Sequence, residues 1–163
     1  MTKEKMSARD KALWYLGMGD KSIHQVREYL LKKEYEEAEA EEAVAWLIDK
    51  GFLDDERYAY EVFRNEYGKN RGKRRTVNYL RQKGVDSFVI EDAYYQFMDS
   101  FEGENIDERA MALELAQEMV RGLGADQIDE KMRAKVGRKL ISRGFDNSNV
   151  YYCLSKLKEM AEE

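Results

Sequence analysis

The chain of 163 residues has no proline, one cysteine and one histidine. Proline interrupts helices because it lacks an amide hydrogen and its ring clashes with the preceding turn, so its absence permits an extensively helical chain. Cys153 cannot form an internal disulfide without a second cysteine, and it cannot build a zinc site of the cysteine and histidine type with His24 alone. These absences exclude a disulfide scaffold and a zinc module.

Long apolar runs are also missing. No stretch approaches the roughly 20 apolar residues that a membrane-crossing helix needs. The N-terminal sequence MTKEKMSARDK has no apolar segment behind its charges, so we expect no secretory signal. Together with the lone cysteine, these features predict a cytoplasmic protein.

Charge is abundant but unevenly distributed. The net charge is −5, yet the segment GKNRGKRRTVNYLRQKG at 68–84 contains seven basic side chains and no acidic one. The negative net charge excludes a protein that is basic over its whole surface and coats nucleic acid. Any contact with an anionic partner must therefore be made by a local cluster of basic side chains.

Glycine marks a repeated pattern. YLRQKGV at 79–85 and KLISRGF at 139–145 each predict a helix end followed by glycine in the left-handed conformation. YLLKKEY at 29–35 has the same frame, with Glu34 at the glycine position. Asp86 and Asp146 follow the two glycine turns as expected N-caps. The sequence DER occurs at 55–57 and again at 107–109, each time where a helix is expected to begin.

These spacings predict an all-α fold made of tandem three-helix units that form an elongated, curved molecule. No segment alternates with period two, so no sheet is expected. The predicted repeats cover 1–53, 54–103 and 104–163. The helices are expected at 7–18, 22–33, 37–50, 55–68, 72–83, 86–98, 107–122, 130–143 and 147–160.

Basic side chains recur on the second helix of the second and third repeats. At about 100° per residue, one face of the first of these helices carries Arg71, Arg74, Arg75 and Arg81, opposite the apolar Val77 and Leu80. One face of the second carries Lys131, Lys135, Arg138 and Lys139, and Lys73 recurs at the position of Arg133. Solubility alone explains many charged faces, but it does not require repeated positions. Arginine suits either a phosphate backbone or an acidic protein groove. The candidate contact residues are Arg71, Lys73, Arg74, Arg75, Arg81, Lys131, Lys135, Arg138 and Lys139.

Catalytic signals are weak. The acidic run at 54–56 has the residue types of a metal site, but it is better explained as capping the helix that follows. Cys153 is predicted to be a small core residue, and GKNRGKRR lacks the strand and the Lys-Ser/Thr pair of a phosphate-binding loop. We therefore expect no enzyme, no cofactor and no metal site.

The segment AVAWLIDKGFLDDERYAYEVFRNEYGKNRGKRRTVNYLRQKGV at 43–85 resembles the RecX family of bacterial regulators of the RecA recombinase. The resemblance is carried by GFLDDERYA at 51–59, the basic segment after Gly68 and LRQKGV at 80–85, while KSIHQVREYL at 21–30 resembles the segment that precedes them. It is clear over residues 8–98 and looser beyond.

The resemblance implies tandem three-helix units and a specific partner. It implies a monomer that binds the RecA filament on single-stranded DNA, within its helical groove. There it would inhibit ATP turnover, strand exchange and RecA-stimulated repressor cleavage, and so damp DNA recombination and the SOS response. Direct binding to naked DNA is expected to be weak, since the chain is acidic in sum. The alternatives are a stand-alone DNA-binding helical protein and an inert helical scaffold.

Overall fold

A computed structural model describes residues 4–163. The described residues form nine α-helices and two short 3-10 helices, without a strand. The α-helices are α1 (Ala8–Leu16), α2 (Ile23–Lys32), α3 (Glu37–Asp49), α4 (Asp55–Gly68), α5 (Lys73–Gln82), α6 (Ser87–Met98), α7 (Glu108–Met119), α8 (Glu130–Ser142) and α9 (Asn147–Glu162). The 3-10 helices are Gly103–Asn105 and Ala125–Gln127.

The all-α prediction and the order of the helices are confirmed. The largest difference is at α7, which ends at Met119 rather than at 122 because the chain turns there and Gly122 takes a φ of +82°. The two 3-10 helices were not predicted. The first follows Ser100, whose hydroxyl oxygen accepts the Gly103 amide at 3.1 Å.

Short polar side chains begin the helices, as the sequence predicts. Asp146 accepts the Asn149 amide at 2.9 Å, and Asp86 accepts the Phe88 amide at 2.8 Å. Asp54 accepts the Arg57 amide at 3.1 Å at the start of α4. Each cap satisfies an amide that has no partner within its own helix.

The chain divides into two compact units. The first contains the described residues through Val62 together with Tyr79–Gln96, and the second contains Phe63–Asn78 and Phe97–Glu163. Helices α4, α5 and α6 each contribute residues to both units, so the compact units do not follow the predicted repeat boundaries at 53/54 and 103/104. The three-repeat division stays a prediction, as does the curved shape.

Each unit has its own hydrophobic core. In the first unit, α1, α2 and α3 bury an apolar cluster that includes Val26, Leu30 and Leu47. In the second unit, α7, α8 and α9 bury a cluster that includes Val136, Leu140 and Leu157. A fully buried side chain of this size contributes about 1.5–3 kcal/mol to folding, so both clusters fix which faces of their helices remain exposed.

The repeated turns at the helix ends have the predicted left-handed backbone. Gly84 and Gly144 have φ angles of +76° and +92°, and Glu34 at the equivalent position has a φ of +66°. A residue with a Cβ pays about 1–2 kcal/mol in this conformation, so Glu34 is the strained member of the three.

We expect Glu34→Gly to raise the free energy of unfolding by about 0.5–1 kcal/mol, because glycine removes the strain but loses more entropy on folding. The contact from Lys5 Nζ to the Glu34 carbonyl, at 3.1 Å, involves only the backbone of residue 34 and is retained. Urea unfolding measures the change. Glu34→Ala is the control, since it removes the same charge and keeps the strain. An equal gain for both variants would assign the effect to charge.

Candidate functional site

The second unit contains a close end-to-end contact between α5 and α8. The Gly72 amide donates to the Arg143 carbonyl at 2.7 Å, and the Arg74 amide donates to the Gly144 carbonyl at 3.2 Å. Amides at the start of one helix thus satisfy carbonyls at the end of another, where the two helix dipoles attract each other. We call this contact the α5–α8 joint.

Two glycines make the joint possible. A Cβ on Gly72 would lie 2.7 Å from the carbonyl carbon of Gly144, and a Cβ on Gly144 would lie 2.6 Å from the Arg75 nitrogen. Neither position therefore accepts a side chain without displacing backbone. In the first unit, the start of α2 also contacts the end of α5, but through a side chain: the Ser22 hydroxyl donates to the Lys83 carbonyl beside Gly84.

Arginines cross the α5–α8 joint in both directions. Arg75 Nη1 donates to the Ser142 carbonyl at 3.1 Å, and Arg143 Nη1 donates to the Lys69 carbonyl at 3.4 Å. These contacts bring the predicted basic residues at the start of α5 to the end of α8 that carries Arg138 and Lys139. Lys131 lies at the other end of α8, about 18 Å from Arg143 along the helix axis at 1.5 Å per residue.

The buried side of α5 follows the sequence pattern at Leu80, whereas Val77, also predicted on that side, is only half-buried. Thr76 and Leu80 of α5 and Val136 and Leu140 of α8 are buried. Arg71 and Lys73 are half-buried. Arg81 lies in the part of α5 that belongs to the first unit. The exposed predicted residues are Arg74, Arg75, Arg81, Lys131, Lys135, Arg138 and Lys139.

Glu66, at the end of α4, engages two of the predicted arginines. Arg71 Nη1 donates to its two carboxylate oxygens at 3.1 and 3.3 Å, and Arg75 Nε lies 3.9 Å from Oε2. Arg71 and Arg75 are thus partly neutralised within the protein. Among the residues that the structure describes, no carboxylate forms an ion pair with Arg74, Arg81, Lys131, Lys135, Arg138 or Lys139.

A second carboxylate, that of Glu108 at the start of α7, fixes the beginning of α5. Its Oε1 accepts the Lys73 amide at 2.6 Å and the Tyr67 hydroxyl at 2.8 Å. Sequence reasoning missed Glu66 and Glu108. The only signal for Glu66 was its place just before the basic segment, and Glu108 is too distant in sequence to be linked to it.

The two compact units differ in charge. By sequence, the first unit has 12 basic and 18 acidic side chains, and the second has 16 basic and 15 acidic ones. The excess of negative charge therefore belongs to the first unit, and the second unit has the exposed cations of α8 and of the start of α5.

The side chains considered for catalysis have roles in packing and helix capping instead. Cys153 is fully buried, and this burial raises the pKa of its thiol, which stays protonated at neutral pH. Asp55 accepts the Ile23 amide at 2.9 Å, and desolvation raises the pKa of its carboxyl group. No three His, Cys, Asp or Glu side chains within residues 4–163 lie close enough to hold a metal ion. Within the same residues, no helix has the length and apolar character to cross a membrane.

Comparison with known proteins identifies the family. The family model described as the first three-helix domain of RecX matches residues 8–47, and that of the second three-helix domain matches residues 54–93. The regulatory protein RecX of Vibrio vulnificus is 32% identical over 150 residues, which cover 92% of each chain. The chain belongs to the RecX family.

Other RecX proteins extend the similarity. The regulatory protein RecX of Vibrio parahaemolyticus is 32% identical over 92% of this chain and 91% of its own. The crystal structure of RecX from Lactobacillus salivarius superposes with a TM-score of 0.73 at 20% identity, over 93% of this chain and 95% of that one. The sequence-based assignment to the RecX family is therefore confirmed, and with it a regulatory role.

Proposed function

We propose that this RecX protein binds the RecA filament on single-stranded DNA and inhibits its ATPase, strand-exchange and coprotease activities. The observation that supports this function best is the set of exposed cations on α8 and at the start of α5. These side chains belong to one compact unit, and most have no carboxylate partner within residues 4–163.

A phosphate backbone is the anionic partner that suits such a set. Each lysine or arginine that neutralises a phosphate releases a counterion, so affinity rises with the number of cations and falls with salt. Within the second unit, the proposed contacts near the α5–α8 joint are Arg74, Lys135, Arg138 and Lys139, and Lys131 extends them along α8. Arg81, in the first unit, is proposed as a separate contact. Arg71 and Arg75 contribute the part of their positive charge that Glu66 does not neutralise, and half-buried Lys73 is a further proposed contact.

The acidic first unit argues against a protein that acts on naked DNA alone. Its 18 carboxylates against 12 cations repel a polyanion. A filament offers protein as well as phosphate, and simultaneous contacts with both raise the overall affinity without tighter individual contacts. We therefore propose a monomer that acts in the cytoplasm on the nucleoprotein filament and binds bare DNA weakly.

Fluorescence anisotropy with a labelled oligonucleotide tests the preference for the filament. The oligonucleotide is titrated with the protein either bare or coated with RecA and a slowly hydrolysed ATP analogue, at about 150 mM salt. We expect at least about tenfold tighter binding to the coated strand, because contacts with protein and DNA act together. Equal affinity for both would favour the stand-alone DNA-binding protein, and absence of binding to either would favour the inert scaffold.

A further inference from the structure

Glu66 is a carboxylate within the basic cluster at the α5–α8 joint. Its side chain is only 11% exposed, whereas the side chains of Arg71 and Arg75 are 27% and 42% exposed. The carboxylate is thus the least exposed of the three charged groups, and the two guanidinium groups keep more contact with solvent. Arg71 Nε is buried without a hydrogen-bond partner, so this arginine is not saturated by its contact with Glu66.

Glu66 takes up part of the hydrogen-bonding capacity of Arg71 from inside the protein, since Arg71 Nη1 donates to both of its carboxylate oxygens. A guanidinium group binds carboxylate and phosphate with the same fork of N–H donors. A fixed internal carboxylate therefore leaves fewer Arg71 donors for an external phosphate, and it cancels one positive charge of the cluster. Two other arginine contacts of the cluster are hydrogen bonds to uncharged backbone carbonyls, from Arg75 to Ser142 and from Arg143 to Lys69. They cancel no positive charge.

We infer that Glu66 is a specificity-determining residue, which lowers the affinity of the second unit for naked nucleic acid and thereby favours the nucleoprotein filament. The reasoning rests on the proposed function for the identity of the filament. Without the Glu66 carboxylate, the cluster has one more uncancelled positive charge. All phosphates of a naked strand are available to this charge, whereas phosphates within a protein filament are partly neutralised by the filament's own cations. Removal of the Glu66 charge should therefore affect naked DNA more than the filament.

Glu66→Gln tests this role, because the amide is close in shape to the carboxylate and its oxygen still accepts from Arg71. We expect affinity for a single-stranded oligonucleotide at about 50 mM salt to rise about fivefold, as one added charge near a phosphate predicts. The slope of log K against log salt should steepen by about 0.7. The protein concentration that half-inhibits the RecA ATPase should change by less than about twofold, because contacts with filament protein supply the rest of the affinity.

Glu102→Gln is the matched control. Glu102 also lies in the second unit and also pairs with an arginine, Arg64, at 3.0 Å, but it is not paired with Arg71 or Arg75. The Glu102→Gln variant changes the net charge by the same amount as Glu66→Gln, and its affinity for the oligonucleotide should stay within about twofold of the wild-type value. Equal effects of the two variants, or weaker binding by a folded Glu66→Gln protein, would overturn the inference.

The double variant Glu66→Gln with Arg71→Gln covers the case in which the single variant does not fold. It leaves no unpaired charge at this buried position. Compared with Arg71→Gln alone, it should bind the oligonucleotide about fivefold more tightly, and unchanged affinity would overturn the inference. Both measurements of oligonucleotide affinity use naked DNA and do not depend on RecA. If the wild-type protein did not inhibit RecA, that result would contradict the proposed function, but the test of Glu66 would still be valid.

Discussion

Replacing Lys135, Arg138 and Lys139 together by glutamate should abolish inhibition of the RecA ATPase. All three side chains are exposed on α8, and none has an ion-pair partner among the described residues. Two opposite unit charges about 4 Å apart attract by about 1 kcal/mol in water, so reversing one of them costs about 2 kcal/mol. Three reversals should therefore raise the half-inhibiting concentration by about 100-fold or more.

The control for this variant carries the same charge change elsewhere in the second unit. Glutamate at Arg121, Lys156 and Lys158, which lie after α7 and on α9, should leave inhibition within about threefold of wild type. Circular dichroism should show unchanged helix content for both triple variants, because exposed substitutions usually alter stability by less than about 0.5 kcal/mol each. Lys156 of the control is half-buried and loses its ion pair with Glu159, which adds only a small effect because ion pairs at the surface contribute little to stability. Similar loss of inhibition in both would mean that total charge, rather than the α8 face, determines binding.

The arginines of the basic segment need a different choice of variant. Glutamate at Arg71 would place a second carboxylate beside the buried Glu66, so loss of activity would be confounded with loss of stability. Arg74 is exposed and forms no ion pair within the described part of the chain. Arg74→Glu is therefore the clean test of the α5 contribution.

Gly144→Ala should lower the free energy of unfolding by about 3 kcal/mol. The left-handed backbone at φ +92° accounts for about 1–2 kcal/mol of this loss. The rest comes from overlap with Arg75, since the new Cβ would lie 2.6 Å from the Arg75 nitrogen in a packed joint. Thermal and urea unfolding followed by circular dichroism measure the change.

Gly122→Ala separates the two causes. Gly122 has a similar φ of +82°, but a Cβ there would meet nothing within 4 Å. Its loss should be limited to about 1–2 kcal/mol. If Gly144→Ala cost no more than Gly122→Ala, the close approach of α5 and α8 at the joint would be contradicted.

The sequence predicted the helices well because their ends have local signals. Asp86 and Asp146 cap helix starts, and glycines in repeated frames mark helix ends with positive φ. The division of α5 and α8 into a basic and an apolar face was predictable for a similar reason, because a helical period of 3.6 residues fixes which side chains share a face.

Contacts distant in sequence were not predictable. The pairing of the α5 start with the α8 end joins Gly72 to Arg143, and periodicity within one helix gives no information about which helix ends meet. The same holds for Glu108, whose carboxylate binds the Lys73 amide from another helix. Glu66 lies close to Arg71 in sequence, but its burial depends on the packing around it, so its effect on the basic cluster became visible only in the structure.

The RecA ATPase, stimulated by single-stranded DNA, tests the central claim most directly when this protein is titrated into it. The account predicts that hydrolysis falls as the protein is added, at concentrations below those at which the protein binds the same DNA without RecA. Unchanged hydrolysis at saturating protein, or a fall that simply follows binding to bare DNA, would contradict it.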